Sequence, residues 1–528
     1  MFLVMSAAYV DQDLKSEFGN IPPSLLPLGN RRLFQHQIAA APKGKALYLS
    51  LPESYDLPEI DAKWLQQHNV TVLAIPENIS LGASLVIALN LIDKPIDTSL
   101  EVLFGDTLIS PLPTIEDSIT VSEVEDSYNW SAVTNSKHHW IQNVDNDLDH
   151  TKNNVVSGYF HFSQPRQLIR CITQSHWDFL EGLNRYNQLV GLTTIRTTNW
   201  LDFGHVNTYY RSKAKFTTQR AFNQLKISPE WCEKSSINGL KIQAEANWFK
   251  HLPPMMRNYI PQYMGHYEEQ GIFSYRLEYL HHTALNELFV FANLPSIIWR
   301  QIINSSLSFL TTCQQHLQPN DQPAASLEQL FGEKTSQRLN DFCRERDISL
   351  TTTWCYNNQY HISLQQLVTD SHQYLPEPAA VATIMHGDFC FSNILYDFRT
   401  NRIKTIDPRG MTPDGTMTLF GDIRYDLAKL SHSILGLYDW IIAGYYHVDI
   451  TDNTIIFNVA GFDKHQENQQ IFIDLVNDKF NLSAVNLYAM QIQLFLSMLP
   501  LHADDPHRQD ALMANAFRLH QLMVEHTL

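Results

Sequence analysis

Between Ala382 and Gly410 the sequence reads ATIMHGDFCFSNILYDFRTNRIKTIDPRG, and its side chains are of the kinds that move a phosphoryl group. TIM is a short apolar lead-in, HGDFCFSN has the composition of a loop, ILYD and IKTID are strand-like, and FRTNR between them is a turn. A loop running into a hairpin brings Asp388, Asn393 and Asp407 towards one point, although Asp407 stands far along the chain. Transfer from ATP needs a carboxylate to accept the proton of the attacking hydroxyl, and oxygen ligands to hold magnesium against the phosphates. These three residues supply both.

The order HxDxxxxN, hairpin, ID resembles the catalytic loop of the aminoglycoside phosphotransferase and choline kinase superfamily. That resemblance implies a two-lobed, protein-kinase-like α+β domain, with Asp388 as catalytic base, Asn393 as a magnesium ligand and Asp407 as the main metal-binding carboxylate. His386 would brace the loop, and Arg409 of IDPRG is grouped with Asp388 and His386 as catalytic. Further on, GDIRYDLAKLSHSI resembles the family's GDxxYDLA segment; Asp426 would stabilise the loop and open a helix, and Asp422 is left structural.

A kinase also needs a lysine on the α/β-phosphates and a glutamate to orient it. In CEKSSINGLKIQAEANWFKHLP, Lys234 ends a strand-like piece and Glu245 sits on an amphipathic helix, with Lys241 and Lys250 as nearby competitors. FSYRLEYLHHTAL resembles the hinge that receives adenine, offering backbone groups from Glu278 to Leu280. No glycine-rich loop precedes Lys234, so the phosphates would be covered differently. The cofactors expected for this half are ATP and Mg2+.

The first 210 or so residues resemble, more loosely, the sugar-phosphate nucleotidyltransferases: FLVMSAAYV entering a loop, PPSLLPLGNRRLFQHQI, FGDTLI and NWLDFGHVNTYY are the matched pieces. The resemblance implies a Rossmann-like α/β fold in which Asp106 and Asp202 bind magnesium on a second nucleoside triphosphate, CTP or UTP. Two hard oxygen ligands suit that task. The family's glycine-rich basic loop is replaced by AAYVDQDLKSEFGNIPP, and Ser24 stands where a lysine is expected; Lys15, Arg31 and Arg32 are the cations that could substitute.

The elements that must hold these residues follow from pattern. Short apolar runs at ALYLSL, VTVLAIP and VVSGYFHFS alternate with the helical GASLVIALNLI, which predicts an α/β layer with a mostly parallel sheet. After Trp200 a small α+β stretch precedes long helical periodicities such as IIWRQIINSSLSFLTTC and NLYAMQIQLFLSMLPLH. The expected division is a nucleotidyltransferase-like domain at 1–215, a kinase-like small lobe at 216–296 and a helical large lobe at 297–528. The acceptor pocket is placed between Ser326 and Pro378 and in the helices after Asp426; Trp354, Tyr356 and Tyr360 there read as core aromatics ahead of a cationic cage. The acidic run from Asn143 to Asn154 reads as an exposed loop.

The chain has 528 residues, 44% hydrophobic and 18% charged, so two or three packed domains are expected. A net charge of −17 without a Lys/Arg run argues against nucleic acid as a partner. Six cysteines without a CxxC pair read as reduced thiols in the cytoplasm. MFLVMSAAYV lacks a basic flank and meets Asp11, so it reads as a buried strand and not a signal peptide, and no stretch reads as a membrane span. The partner expected is a small hydroxyl-bearing substrate. The pairing of a kinase with a nucleotidyltransferase resembles fusions that make activated precursors for bacterial capsule or surface polysaccharide. A nucleotide-sugar-binding module in place of an active first domain, and a pseudokinase scaffold, are the alternatives.

Overall fold

A computed structural model describes every residue except 94, 97, 125–127, 135–139, 144–153, 221–224, 238, 320–326, 378–380 and 528. Most of the acidic run and the first residue of the expected acceptor segment, with the last, therefore lie outside the described residues. The chain divides into two compact units, Met1–Gln219 with Phe291–Asn293, and Arg220–Val290 with Leu294–Leu528.

The first unit is an α/β layer. Strands Val70–Ile75, Leu47–Pro52, Phe2–Met5 and Leu100–Phe104 lie side by side in that order, all parallel. Helices Leu33–Ala40, Glu59–Gln67 and Leu81–Asn90 occur along the crossovers between them. The central strand FLVM is buried throughout, as a strand covered on both faces must be. Strand Asn154–Phe162 then runs antiparallel between Leu100–Phe104 and Ser118–Ser122. The expected run EVLFGDTLI is two strands, Leu100–Phe104 and Thr107–Ile109, broken at Gly105 and Asp106. The second of these pairs antiparallel with Trp200–Asp202 in a separate two-stranded ladder.

The second unit opens with a four-stranded antiparallel sheet, ordered Leu225–Ile227, Trp231–Ser236, Ile272–Glu278, Tyr263–Glu269. Helix Leu240–His251 packs on it through Glu245, which meets Tyr275, and Phe249, which packs on Tyr263 and Tyr275; the two are four residues apart and share a face. The hairpin Ile394–Asp397 and Arg402–Thr405 follows, joined by Thr283–Ala284 into a three-stranded sheet. The rest is mainly helical: Ser296–Gln314, Leu327–Glu345, Ile423–Ile434, Gln466–Phe480, Ala484–Met498 and Pro506–Glu525. Trp354 and Tyr356 are buried core aromatics, and Tyr360 shares a hydrogen bond with His520 Nδ1 at 2.7 Å.

One sequence expectation is corrected here. The stretch Ala484–His502 is long and apolar enough to cross a bilayer by length and composition, with 72% of it buried. Its apolarity has a local cause: Leu487 to Ser497 are buried on every side, packed against helices 327–345 and 506–525.

Gly410 marks where the segment after the hairpin passes under the helix that carries Glu245. Its φ is +64°, and a Cβ there would sit 2.2 Å from the carbonyl oxygen of Ala244. Both the left-handed backbone and the overlap disfavour a side chain. Gly410→Ala is therefore expected to destabilise the second unit by about 2 kcal/mol or more, seen as an earlier urea transition for that unit. An unshifted transition would contradict the close approach.

Candidate active site

Register places the key residues of the second unit. Ile394 pairs with Thr405 across the hairpin, and Ile406 N–H continues the ladder onto the carbonyl of Asn393 at 3.0 Å. Asp407 follows immediately, in a left-handed conformation with φ of +58°. Asn393 is thus beside the start of Asp407 in space although the two are far apart in sequence. Asn393 Nδ2 donates to the carbonyl of Asp388 at 2.8 Å and to its Oδ2 at 3.2 Å. With the amide nitrogen engaged, Oδ1 is the atom of Asn393 left to ligate a cation.

Lys234 joins the small sheet to this hairpin. Its ammonium pairs with Glu245 Oε2 at 3.3 Å and with Asp407 Oδ1. Burial would lower the Lys234 pKa, but Asp407 and Glu245 outweigh it and raise it. Glu245 is buried and receives a second bond, from the Tyr275 hydroxyl at 2.7 Å; Tyr275 faces Lys234 across the strand ladder. Of the competitors, Lys241 stands 3.9 Å from Glu245 and is largely exposed, whereas Lys234 is mostly covered.

The loop itself is fixed from behind. Asp426 accepts the backbone N–H groups of His386 (2.6 Å) and Gly387 (2.7 Å). Burial raises the Asp426 carboxyl to about 7 in spite of those bonds. Burial pushes the His386 imidazole down to about 4, so the ring is neutral: its Nε2–H donates to the Ile406 carbonyl at 2.9 Å and Nδ1 accepts from Asp388 N–H at 3.3 Å. Trp248 Nε1 donates to the carbonyl of Met385 at 2.8 Å, tying the Glu245 helix to the lead-in of the loop. Asp422, not Asp426, opens the helix Ile423–Ile434: its carboxylate caps Arg424 N–H, while Asp426 lies in the first turn.

Sequence reasoning missed Lys429. Its ammonium is 2.8 Å from Asp388 Oδ1. Burial alone would raise the Asp388 carboxyl, but Lys429, with Arg409 beyond it, holds it down at about 2. The signal was available: Lys429 is three residues after Asp426 on one helix, so the two share a face. Arg409 donates its N–H to the His386 carbonyl at 2.8 Å, and its guanidinium bonds the Tyr425 hydroxyl at 3.2 Å. At the expected hinge, Glu278 N–H is committed to Gln262 O and Tyr279 N–H to Glu230 O, both at 2.9 Å. Glu278 thus has no amide to offer an adenine; Leu280 N–H makes no backbone bond among the described residues.

Magnesium fits this donor set. Asn393 Oδ1 and the partly exposed Asp407 carboxylate are hard oxygen ligands, and no cluster of three His, Cys, Asp or Glu side chains surrounds them among the described residues. A cation held by one or two protein oxygens and completed by phosphates and water is the pattern magnesium favours.

In the first unit Asp106 and Asp202 converge. Phe203 N–H bonds the carbonyl of Asp106 at 2.8 Å, and a Cβ built on Gly204 would lie 3.0 Å from Asp106 Oδ2 and 3.5 Å from Asp202 Oδ1. Burial raises the Asp106 carboxyl. Among the described residues, cavities open around the pair: one of about 580 Å³ beside Ser6 and Tyr9, one of about 390 Å³ between the two aspartates, and one of about 550 Å³ carrying Arg196, Arg211 and Lys215. Of the substitute cations, Arg32 is consumed by structure, paired with Asp61 at 3.2 Å and donating to Leu25 O; Lys15 and Arg31 are exposed.

No protein-family model and no curated protein matches the chain. Among solved structures, 40% of the chain is similar to a nucleoside-diphosphate-sugar pyrophosphorylase from Vibrio cholerae RC9, covering 99% of that chain at 16% identity and a TM-score of 0.32. The inositol-1-phosphate CTP transferase of T. maritima is covered over 97% by 42% of this chain, at 13% identity and a TM-score of 0.32. An aminoglycoside-3'-phosphotransferase of type VIII is covered over 99% by 55% of this chain, at 12% identity and a TM-score of 0.32. Scores this low leave the chemistry to be argued from the geometry.

The Asp388–Lys429 pair makes a pH-dependent prediction. Without Lys429, burial governs Asp388 and its folded pKa should exceed the unfolded value of about 4. A carboxyl raised in that way loses stability as pH climbs from the unfolded value through the folded one. The melting-temperature gap between wild type and Lys429→Met should therefore widen from pH 5 to pH 8. A gap that stays constant or narrows would show that the ammonium is not what keeps Asp388 ionised.

Proposed function

We propose that the second unit transfers the γ-phosphoryl group of ATP, with magnesium, to a hydroxyl of a small polyol, sugar or amino alcohol. The observation that carries this reading is one ammonium, Lys234, bridging Glu245 and Asp407 while Asn393 holds Asp388 beside them. Lys234 would take the α/β-phosphates, and Asn393 with Asp407 the magnesium, which neutralises charge developing on the phosphates. Asp388, ionised at any working pH, orients the acceptor hydroxyl and accepts its proton. The acceptor oxygen forms a bond to the γ-phosphorus as the bond to the β,γ-bridging oxygen breaks, and ADP leaves. His386 and Asp426 act by holding the loop, and Leu280 offers the hinge amide for adenine.

A screen of hydroxyl compounds with ATP and magnesium, read by mass spectrometry, tests this. Asp388→Asn should lower kcat on the order of 10²–10⁴-fold, Asp407→Ala should act through magnesium, and EDTA should stop transfer. Full transfer by the Asp388→Asn chain would sink the reading.

For the first unit the favoured function is nucleotidyl transfer from CTP or UTP to the phosphorylated product, supported by the convergence of Asp106 and Asp202 and by the cationic cavity beside Asp202. Such coupling suits a cytoplasmic enzyme making an activated precursor for capsule or surface polysaccharide. A second reading has its own support: among the described residues, the cavity lined by Ser6, Tyr9 and Asp106 has no Lys or Arg in its wall, so charge building on a triphosphate would be poorly stabilised there. The unit would then bind a nucleotide sugar without reacting. Asp106→Ala and Asp202→Ala decide between them. Loss of a nucleotide-linked product in both variants supports catalysis, whereas no such product from the wild type, with transfer from ATP intact, supports binding.

A further inference from the structure

Several cationic side chains gather beside Asp388. Tyr425, on helix Ile423–Ile434, is the meeting point. The Arg409 guanidinium stands 5.1 Å from its ring centre and bonds its hydroxyl, and Phe331 of helix Leu327–Glu345 packs on the ring at 5.5 Å. Lys334 follows Phe331 by three residues and Arg338 follows Lys334 by four, so the three share one helix face.

Their partners differ. Arg338 Nη1 is engaged with the carbonyl of Ser497 at 3.1 Å. Among the described residues, half-buried Lys334 makes no hydrogen bond or ion pair, and Arg409 has no carboxylate within 4.0 Å, with Asp388 and Asp426 acting on it from further off. The Lys334 ammonium lies below the usual lysine range, first through burial, with Tyr425 opposing and Arg338, Arg409 and Lys429 adding repulsion. Lys429 has Asp388 as its counter-charge. A half-buried ammonium without an ion-pair partner costs free energy, which an anion lodged beside it would recover.

We propose that the acceptor is an anionic hydroxyl compound, whose carboxylate or phosphate group lodges between Lys334 and Arg409 against the Tyr425 hydroxyl. The inference rests on the kinase reading and narrows it: a hydroxy acid or phosphorylated polyol is favoured, and an amino alcohol is rejected by the same charges. A hydroxy acid also leaves the new phosphate as the group presented to nucleotidyl transfer. The competing source of negative charge is the γ-phosphate of ATP itself, which the test must fill independently.

The test uses the full chain saturated with magnesium and a non-hydrolysable ATP analogue, so that the γ-phosphate position is occupied. Calorimetric titration with glycerate, glycerol 3-phosphate, glycerol and ethanolamine should show one of the two anionic probes binding roughly tenfold or more tightly than glycerol, with ethanolamine weakest. Preference for glycerate identifies a carboxylate, preference for glycerol 3-phosphate a phosphate. Lys334→Gln should erase that preference, and Lys334→Arg should retain it. Glycerol or ethanolamine binding as well as both anionic probes, absence of binding by all four, or a Lys334→Gln effect confined to the ATP analogue, overturns the proposal. Failure of the wild type to bind the analogue is a different result, and strikes the kinase reading beneath it.

Discussion

A single ammonium organises the second unit. Lys234 contacts Glu245, eleven positions on, and Asp407, 173 positions on. Two carboxylates brought so close would repel each other and resist burial; with the cation between them, each is satisfied. The consequence is mechanical as well as electrostatic. The sheet strand carrying Lys234, the helix carrying Glu245 and the hairpin ending at Asp407 are held in one arrangement by contacts that none of them could make alone.

A second constraint stands behind the loop. Asp426 holds two successive amides, at His386 and Gly387, and the neutral His386 ring in turn reaches the Ile406 carbonyl just before Asp407. Loop and hairpin are therefore positioned by the same buried group. Asp388 emerges from that frame with Asn393 on one carboxylate oxygen and Lys429 on the other. A carboxylate gripped on both oxygens is held in one orientation.

Much of this was legible because local rules sufficed. The parallel strands Phe2–Met5 and Leu47–Pro52 are apolar runs of strand length, and the pairing of Asn393 with the residue before Asp407 follows once ILYD and IKTID are read as a hairpin with a short turn. What could not be read depends on packing between distant segments. Arg32 looks like a free cation in the sequence and is buried against Asp61. Which backbone groups the expected hinge leaves open was equally invisible: the Glu278 amide is taken by Gln262 across the sheet. Lys334 precedes the loop by about fifty residues, and only the packing of Phe331 on Tyr425 brings its helix face to the site. The helix Ala484–Met498 shows the same limit: composition fits a span, and its neighbours give it another use.

That helix has a consequence for how the chain is made. Its apolar surface is covered partly by Pro506–Glu525, a segment synthesised after it. Until Pro506–Glu525 leaves the ribosome, Leu487 to Ser497 lack one of their permanent neighbours. Packing of the second unit's helical core therefore waits on Pro506–Glu525, and a chain lacking that segment would leave apolar surface for chaperones or proteases to find.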